Sequence, residues 1–364
     1  MSWGMIDGSP LMTECVIHDS EEAGFGGQSI MTVGDMGTGK TTLMLRILQR
    51  VSHLDSQSIS KTEYLAVHKL RIKKEQNLLE SGRQYSKAEL NSLLPQMSCK
   101  EIPETVLYSG REFDYWHNFL EKNIWSEFKN PKPLLLHLPK GEEFHFIVPF
   151  QGKLKDLNTE GICKEYRDTK ELLGNLQEGA INVWYPPSKY SFSADILEEP
   201  EIRKAGERAT GNLNPKLMNF DLIYHCMQYR YQKHLTWFAD EIHSIIPGTA
   251  SDLEWHVLDW FSRSIDPELR RCHISSIGTT HSCSLVDARH MQRAAWYIWT
   301  GGAAPNKKYS RVLDGAALKC YAGHCIIERK GVKFGQFDYD RLHGQLPKIR
   351  VIRGGLEKAN IKEA

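Results

Sequence analysis

The sequence lacks the features that mark secreted and membrane-spanning proteins. Its eight cysteines include no C-x-x-C pair, and no apolar run approaches the roughly 18 residues that a membrane helix needs. The first residues carry no basic region followed by an apolar stretch, which a secretory signal peptide requires. The sequence therefore predicts no disulfide framework, no common structural zinc site and no transmembrane segment. We expect a cytoplasmic protein with reduced thiols.

The sequence also lacks a charge excess of either sign. Its 46 lysines and arginines balance 45 aspartates and glutamates, which gives a formal net charge of +1. This balance excludes a polybasic protein that coats nucleic acid, although it allows a few local contacts with DNA. The 364 residues, of which 41% are hydrophobic, suffice for one large α/β domain with insertions or for two domains.

One glycine-rich stretch has the pattern of a phosphate-binding loop. Residues Gly34–Thr41 match G-x-x-x-x-G-K-[ST], after a strand-like run at 29–33 and before a helix predicted from Lys40 to about Val51. Glycines allow positive φ and a close backbone approach to a polyphosphate, and the start of a helix adds positive potential. Lys40 would reach the β- and γ-phosphates, and Thr41 would ligate Mg²⁺. The predicted nucleotide-binding residues are Gly34, Asp35, Met36, Gly37, Thr38, Gly39, Lys40, Thr41 and Thr42.

Two adjacent carboxylates form the second motif. Residues 234–239 are typical of a buried strand and lead into Asp240 and Glu241, at the edge where an open parallel sheet binds its ligands. We expect Asp240 to hold Mg²⁺ through water and Glu241 to polarise the water that attacks the phosphate. Together the two motifs predict an ATPase whose cofactors are ATP and Mg²⁺.

A third stretch offers a sensor for the terminal phosphate and a candidate arginine finger. Residues 273–278 predict another strand, and Thr280 and His281 follow it. Either side chain is suited to hydrogen-bond with the phosphate or with the attacking water, so both stay open as the sensor. Arg270 and Arg271 precede this strand and are the leading candidates for a catalytic finger that acts on a neighbouring subunit's nucleotide. Three further arginines are alternatives, namely Arg263, Arg289 and Arg293.

Alternating strand and helix patterns predict an α/β fold with a mostly parallel sheet flanked by helices. The stretch at 186–215 is polar and rich in turn residues, so we expect a surface loop there. The proposed division of the chain is a lead-in segment at 1–27, a core at 28–51 and 104–345, a helical insertion at 52–103 after the helix that follows the loop, and a C-terminal tail at 346–364.

These motifs, in this order, resemble the HerA/FtsK-like branch of the ASCE P-loop ATPases, which includes DNA translocases and viral genome-packaging motors. The similarity covers 28–51 and about 220–337. It includes the arginine, strand and polar residue of Arg271–His281 and two closing strand-like runs at 325–328 and 333–337. The resemblance implies a RecA-like core, a homo-oligomer that is a hexamer, and DNA as a partner. His281 stands where the branch usually has glutamine.

The resemblance implies a motor that couples ATP hydrolysis to the movement of double-stranded DNA. A phage-assembly or secretion ATPase of the same branch, acting on a capsid or secretion partner, is the closest alternative. A P-loop kinase or a nucleotide switch also stays open, but Glu241 beside Asp240 favours hydrolysis. A small GTPase is disfavoured because Asn306 and Lys307 are not followed by the aspartate of an N-K-x-D motif.

Overall fold

The strand at 29–33 lies inside the main sheet and not at its edge.

A computed structural model describes residues 29–53, 70, 73–74, 76–78, 80–82, 105–120, 133–150, 153–229, 235–250, 252–310, 314–329, 333–338 and 348–354. The predicted lead-in segment and most of the predicted insertion at 52–103 lie outside these residues.

The described residues form strands and mostly short helices. The strands are β1 (Ser29–Val33), β2 (Thr105–Ser109), β3 (Phe113–Asp114), β4 (Leu134–Pro139), β5 (Phe144–Phe150), β6 (Lys153–Asp156), β7 (Cys163–Tyr166), β8 (Ile181–Trp184), β9 (Leu235–Ala239), β10 (Ile274–Thr280), β11 (Trp296–Thr300), β12 (His324–Arg329), β13 (Lys333–Asp338) and β14 (Ile349–Arg353). The α-helices are α1 (Lys40–His53), α2 (His117–Leu120), α3 (Thr169–Asn175), α4 (Ala194–Leu197), α5 (Pro200–Arg203), α6 (Met218–Tyr229), α7 (Asp252–Trp260), α8 (Ala288–Arg293) and α9 (Asp314–Leu318). Short 3₁₀ turns cover Gly206–Thr210, Pro215–Leu217, Ile242–Ser244 and Cys283–Leu285, and a π-helical turn, Phe261–Ile265, continues α7.

The main sheet has ten strands in the order β13-β12-β11-β1-β10-β9-β2-β8-β4-β7. All neighbours from β11 to β7 pair in parallel, and β12 and β13 add an antiparallel hairpin. This arrangement confirms the predicted α/β fold with its mostly parallel sheet. Because parallel strands point the same way, the segments that follow β1, β9 and β10 leave the sheet at one shared edge.

β10 is the strand that separates β1 from β9. Its register pairs Ser276 with both Ser29 of β1 and Trp237 of β9. All five residues of β9 and all seven of β10 are buried, as expected of strands covered on both faces. The chain therefore has an extra strand between the loop-bearing strand and the acidic strand.

A second, four-stranded antiparallel sheet has the order β3-β14-β5-β6. Its buried residues Phe146, Val148 and Ile349 pack in the same cluster as Val106 of β2 and Val183 of β8. The strand β14 falls in 346–364, which the sequence analysis assigned to a tail. The reason for the difference is that β14 is stabilised by partners more than 200 positions earlier in the chain, and a five-residue pattern does not reveal such pairing.

The stretch at 186–215 differs from the surface loop predicted for it. It contains α4 and α5, and it buries Tyr190, Phe192, Ile196 and Ile202 against the main core. The turn-rich composition hid these apolar positions because they are spaced irregularly between polar residues.

A buried carboxylate on α6 holds that stretch in place. Asp221 accepts hydrogen bonds from the hydroxyls of Thr169 (2.9 Å), Tyr190 (2.7 Å) and Ser193 (3.0 Å). The Nδ1 atom of His225 lies 2.8 Å from the same carboxylate. Four side chains from three segments therefore depend on one acceptor, since buried polar groups need hydrogen-bond partners.

We predict that Asp221→Ala lowers the free energy of unfolding by about 3 kcal/mol, because it leaves several buried donors without an acceptor. Urea unfolding followed by tryptophan fluorescence measures the change. The control is Asp252→Ala, which removes an exposed ion pair with Arg208 and should cost less than about 1 kcal/mol. Equal losses in the two variants would contradict the role of Asp221.

Candidate functional site

The glycine-rich loop lies between the end of β1 and the start of α1. Gly37 and Gly39 have φ values of 75° and 91°, in the region that favours glycine. Gly34 is required for a different reason than the positive φ expected of it. A Cβ atom at Gly34 would lie 1.9 Å from Oγ1 of Thr300 on β11, so only glycine fits.

Neighbouring strands hold this loop on both sides. The amide of Gly34 donates to the Thr280 carbonyl at the end of β10 (3.2 Å), and that of Asp35 donates to the Gly301 carbonyl after β11 (3.0 Å). The hydroxyls of Thr38 and Thr300 are 2.9 Å apart. The loop is therefore fixed at the carboxyl edge of three adjacent strands before any ligand binds.

The Lys40 side chain folds over the loop. Its Nζ atom donates to the Asp35 carbonyl (2.6 Å) and to Nδ1 of His281 (3.2 Å), and only 6% of the residue is exposed. Burial lowers the pKa of Lys40 from its ordinary value, although the carboxylates of Asp240, Asp35 and Glu241 oppose the shift. The ammonium group is therefore already positioned inside the loop, surrounded by oxygen and nitrogen acceptors.

The two predicted carboxylates lie directly beside this loop. The Thr41 hydroxyl donates to Asp240 (3.2 Å to Oδ2), and the Thr279 hydroxyl of β10 donates to its Oδ1 (2.6 Å). The amide of Glu241 donates to the same Thr279 oxygen (2.7 Å). Glu241 has a left-handed backbone with φ of 53°, a conformation that costs free energy in a residue with a side chain and is concentrated at functional sites.

Of the two candidate sensors, the structure brings His281 to the loop and turns Thr280 away from it. His281 lies between Lys40 and Glu241, with Nε2 3.7 Å from Oε1 of Glu241. Because the Lys40 ammonium can only donate, Nδ1 accepts, and the hydrogen of the neutral ring is on Nε2 and faces Glu241. The Thr280 hydroxyl instead donates to the Ser282 carbonyl (3.0 Å).

Arg111 is a site residue that no motif in the sequence marks. It follows β2, the neighbour of β9, and its guanidinium donates to Oδ2 of Asp240 (2.8 Å) and to Oε2 of Glu241 (2.7 Å). Its amide donates to Asp114 (3.1 Å), which also accepts from the Tyr108 hydroxyl; burial raises the pKa of Asp114 to about 6. The run at 104–108, shortly before Arg111, is apolar and typical of a strand, but nothing in the sequence shows that this strand is next to β9.

The predicted finger does not reach the site of its own chain. Arg271 precedes β10 at the edge opposite the loop, is exposed, and forms an ion pair with Glu268 (2.9 Å). The three alternative arginines also form ion pairs within the chain. Arg263 pairs with Asp259, and Arg289 pairs with Asp259 and Asp287. Arg293 pairs with Asp266.

Among the described residues, no group of three or more His, Cys, Asp or Glu side chains is arranged to hold a metal ion. None of the described helices has the length and apolar composition needed to span a bilayer.

The strand order, the loop conformation and the paired carboxylates together decide the fold class. The chain has the fold of a P-loop NTPase core. No protein-family model and no curated protein matches this sequence.

Structures of a viral genome packaging NTPase are among the solved structures that match the chain. The genome packaging NTPase B204 from Sulfolobus turreted icosahedral virus 2, in complex with sulfate, is 9% identical with a TM-score of 0.40, and the match covers 86% of this chain and 98% of that one. The complex of the same NTPase with ATP-gammaS is 11% identical with a TM-score of 0.33, and the match covers 65% of this chain and 98% of that one. B204 from Sulfolobus turreted icosahedral virus, described as a DNA-packaging ATPase, is 11% identical with a TM-score of 0.31, and the match covers 66% of this chain and 99% of that one.

We predict that Arg111→Gln lowers the free energy of unfolding of the ligand-free protein by about 1–2 kcal/mol, because Asp240 and Glu241 lose a shared cation that is partly exposed. Thermal unfolding measures this change, and Mg²⁺ should narrow the difference because a metal ion replaces the lost positive charge. Arg263→Gln, which removes a surface ion pair, is the control. A melting temperature equal to that of the wild type would contradict the bridging role.

Proposed function

We propose that this chain is an ATPase that hydrolyses ATP with Mg²⁺ at the Gly34–Thr41 loop. The observation that carries the proposal is that Lys40, Thr41, Asp240, Glu241 and His281 lie side by side, joined by contacts of 3.2 to 3.7 Å. A surface loop with a chance motif would not gather a lysine, two carboxylates and a histidine from three strands.

The chain's own groups can hold the phosphates. The amides of the glycine loop and the N-terminus of α1 provide partial positive charge, and the Lys40 ammonium is free to exchange its carbonyl partner for a phosphate oxygen. Thr41 and Asp240 would hold Mg²⁺, which suits their hydroxyl and carboxylate oxygens and is usually bound by one or two carboxylates and the phosphates. When bound, the metal neutralises charge on the phosphates.

Glu241 and His281 act at the terminal phosphate. Glu241 would orient and polarise the attacking water. The Nε2 hydrogen of His281 faces Glu241, so it can donate to that water or to the phosphate. Arg111 occupies the same carboxylates, so it must release Asp240 and Glu241 for them to take these roles.

We further propose that the chain works as a homo-oligomer, a hexamer, that moves double-stranded DNA. The resemblance of Arg271–His281 to the HerA/FtsK-like branch supports this, and so does the position of β10 between β1 and β9. Arg271 lies at the edge opposite its own chain's loop, so any action on a nucleotide requires a second copy.

We predict that Glu241→Gln keeps ATP binding and lowers the hydrolysis rate by about 100-fold or more, because the amide no longer polarises the water. Phosphate release and binding of a non-hydrolysable ATP analogue are measured on the same preparation. Glu207→Gln, at an exposed position away from the loop, should leave both unchanged. Unchanged hydrolysis in Glu241→Gln would refute its role.

Two measurements test the oligomeric motor. One is the rate of ATP hydrolysis with and without double-stranded DNA, and the other is the mass of the assembled protein in the presence of nucleotide. We expect DNA to raise the rate and the mass to be that of a hexamer. A monomer indifferent to DNA would contradict the proposal. Stimulation by a coat protein or a membrane, and not by DNA, would favour the assembly or secretion ATPase.

Mixing two inactive variants tests Arg271 directly. We expect Arg271→Ala to lose hydrolysis although its own loop and carboxylates are intact, and we expect a mixture with Glu241→Gln to regain activity that neither variant shows alone. Subunits of the mixed ring then combine a working Glu241 with a neighbour's Arg271. A mixture as inactive as its components would show that Arg271 does not act in trans.

A further inference from the structure

The positions of the carboxylates fix the direction in which a nucleotide lies across the loop. Asp240 and Glu241 follow β9, and His281 follows β10, so all three are on one side of β1. The terminal phosphate must face these residues. The rest of the nucleotide then crosses the loop above β1, and its base extends over the opposite side, towards β11 and β12.

A short segment before β12 occupies that opposite side. Thr300 of β11 pairs with Cys325 of β12, so the residues just before β12 are at the same sheet edge as the loop. A Cβ atom at Gly301 would lie 2.6 Å from the Cys320 carbonyl and 3.4 Å from Cγ2 of Thr38. Gly301 is therefore packed between the phosphate-binding loop and the segment at 314–323.

This segment presents two exposed apolar side chains near the loop. Leu318 is 56% exposed and Tyr321 is 63% exposed, while most large apolar side chains of the described residues are buried. The Tyr321 ring stacks on His324, with centroids 5.1 Å apart and an angle of 24° between the planes. One face of Tyr321 is thus supported by another ring, and much of its surface remains exposed to solvent.

The distance from β10 to β12 also matches the length of a nucleotide. From β10 to β12 the sheet spans three strand spacings, about 14 Å in total. An extended nucleoside triphosphate with its terminal phosphate at His281 has a comparable length, so its base would arrive at the segment that carries Tyr321.

We propose that Tyr321, supported by His324, is the surface on which the base of the bound nucleotide stacks. This inference rests on the proposed function and adds the residue that recognises the base. Stacking needs only the flat face of a base, so it favours the larger purines over pyrimidines and does not by itself distinguish one purine from another.

The test compares two probes, a non-hydrolysable ATP analogue and inorganic tripolyphosphate, by titration calorimetry with Mg²⁺. We expect Tyr321→Ala to bind the ATP analogue about tenfold more weakly than the wild type and tripolyphosphate equally well, because only the first probe has a base to stack. Tyr321→Phe keeps the ring and should restore the affinity. Tyr229→Ala, at another exposed tyrosine at the end of α6, should leave both affinities unchanged.

Three results would overturn the inference. The first is an unchanged affinity of Tyr321→Ala for the ATP analogue, and the second is an equal loss of affinity for both probes, which would indicate a damaged loop. The third is failure of the wild type to bind either probe, and this result alone would also overturn the proposed function.

Discussion

The parallel pairing of β10 with both β1 and β9 is the constraint on which the site depends. It places the end of β1, which leads into the loop, next to Thr279 of β10 and one strand from Asp240 and Glu241. His281 directly follows β10 at the same edge. Thr279 connects the parts, because its hydroxyl accepts from the Glu241 amide and donates to the Asp240 carboxylate. A shift of one residue in this register would turn Thr279 to the other face of the sheet and separate these groups.

Charge balance is the second constraint on this edge. Asp240 is almost fully buried, and a buried carboxylate is unfavourable without compensating hydrogen bonds or positive charge. Arg111 and Lys40 provide that charge, and Arg111 binds both carboxylates at once. Binding of a metal ion and a polyphosphate would exchange these partners, so the ion pairs of Arg111 must break when the substrate complex forms.

The predictability of each part follows the range of the interactions that create it. Four parts of the fold could be predicted, namely the loop, the strand before it, the helix after it and the acidic strand. Each of them is specified by neighbouring residues, through either a sequence motif or a single hydrophobic periodicity. The strand β14 could not be predicted, because it depends on pairing with β5, which is distant in the chain. The packing of 186–215 could not be predicted either, because it depends on hydrogen bonds to Asp221. Arg111 belongs to the second group, since its role comes from the adjacency of β2 and β9, which no local pattern encodes.

The central claim is that this site directs water, and no other acceptor, to the terminal phosphate of ATP. Hydrolysis in isotopically labelled water tests it most directly, with mass spectrometry of the released phosphate. We expect each released phosphate to carry one oxygen atom from the solvent, and we expect release to stop when Lys40 is replaced by alanine in a folded protein. Transfer of the phosphate to another acceptor, or labelled release that persists without Lys40, would contradict it.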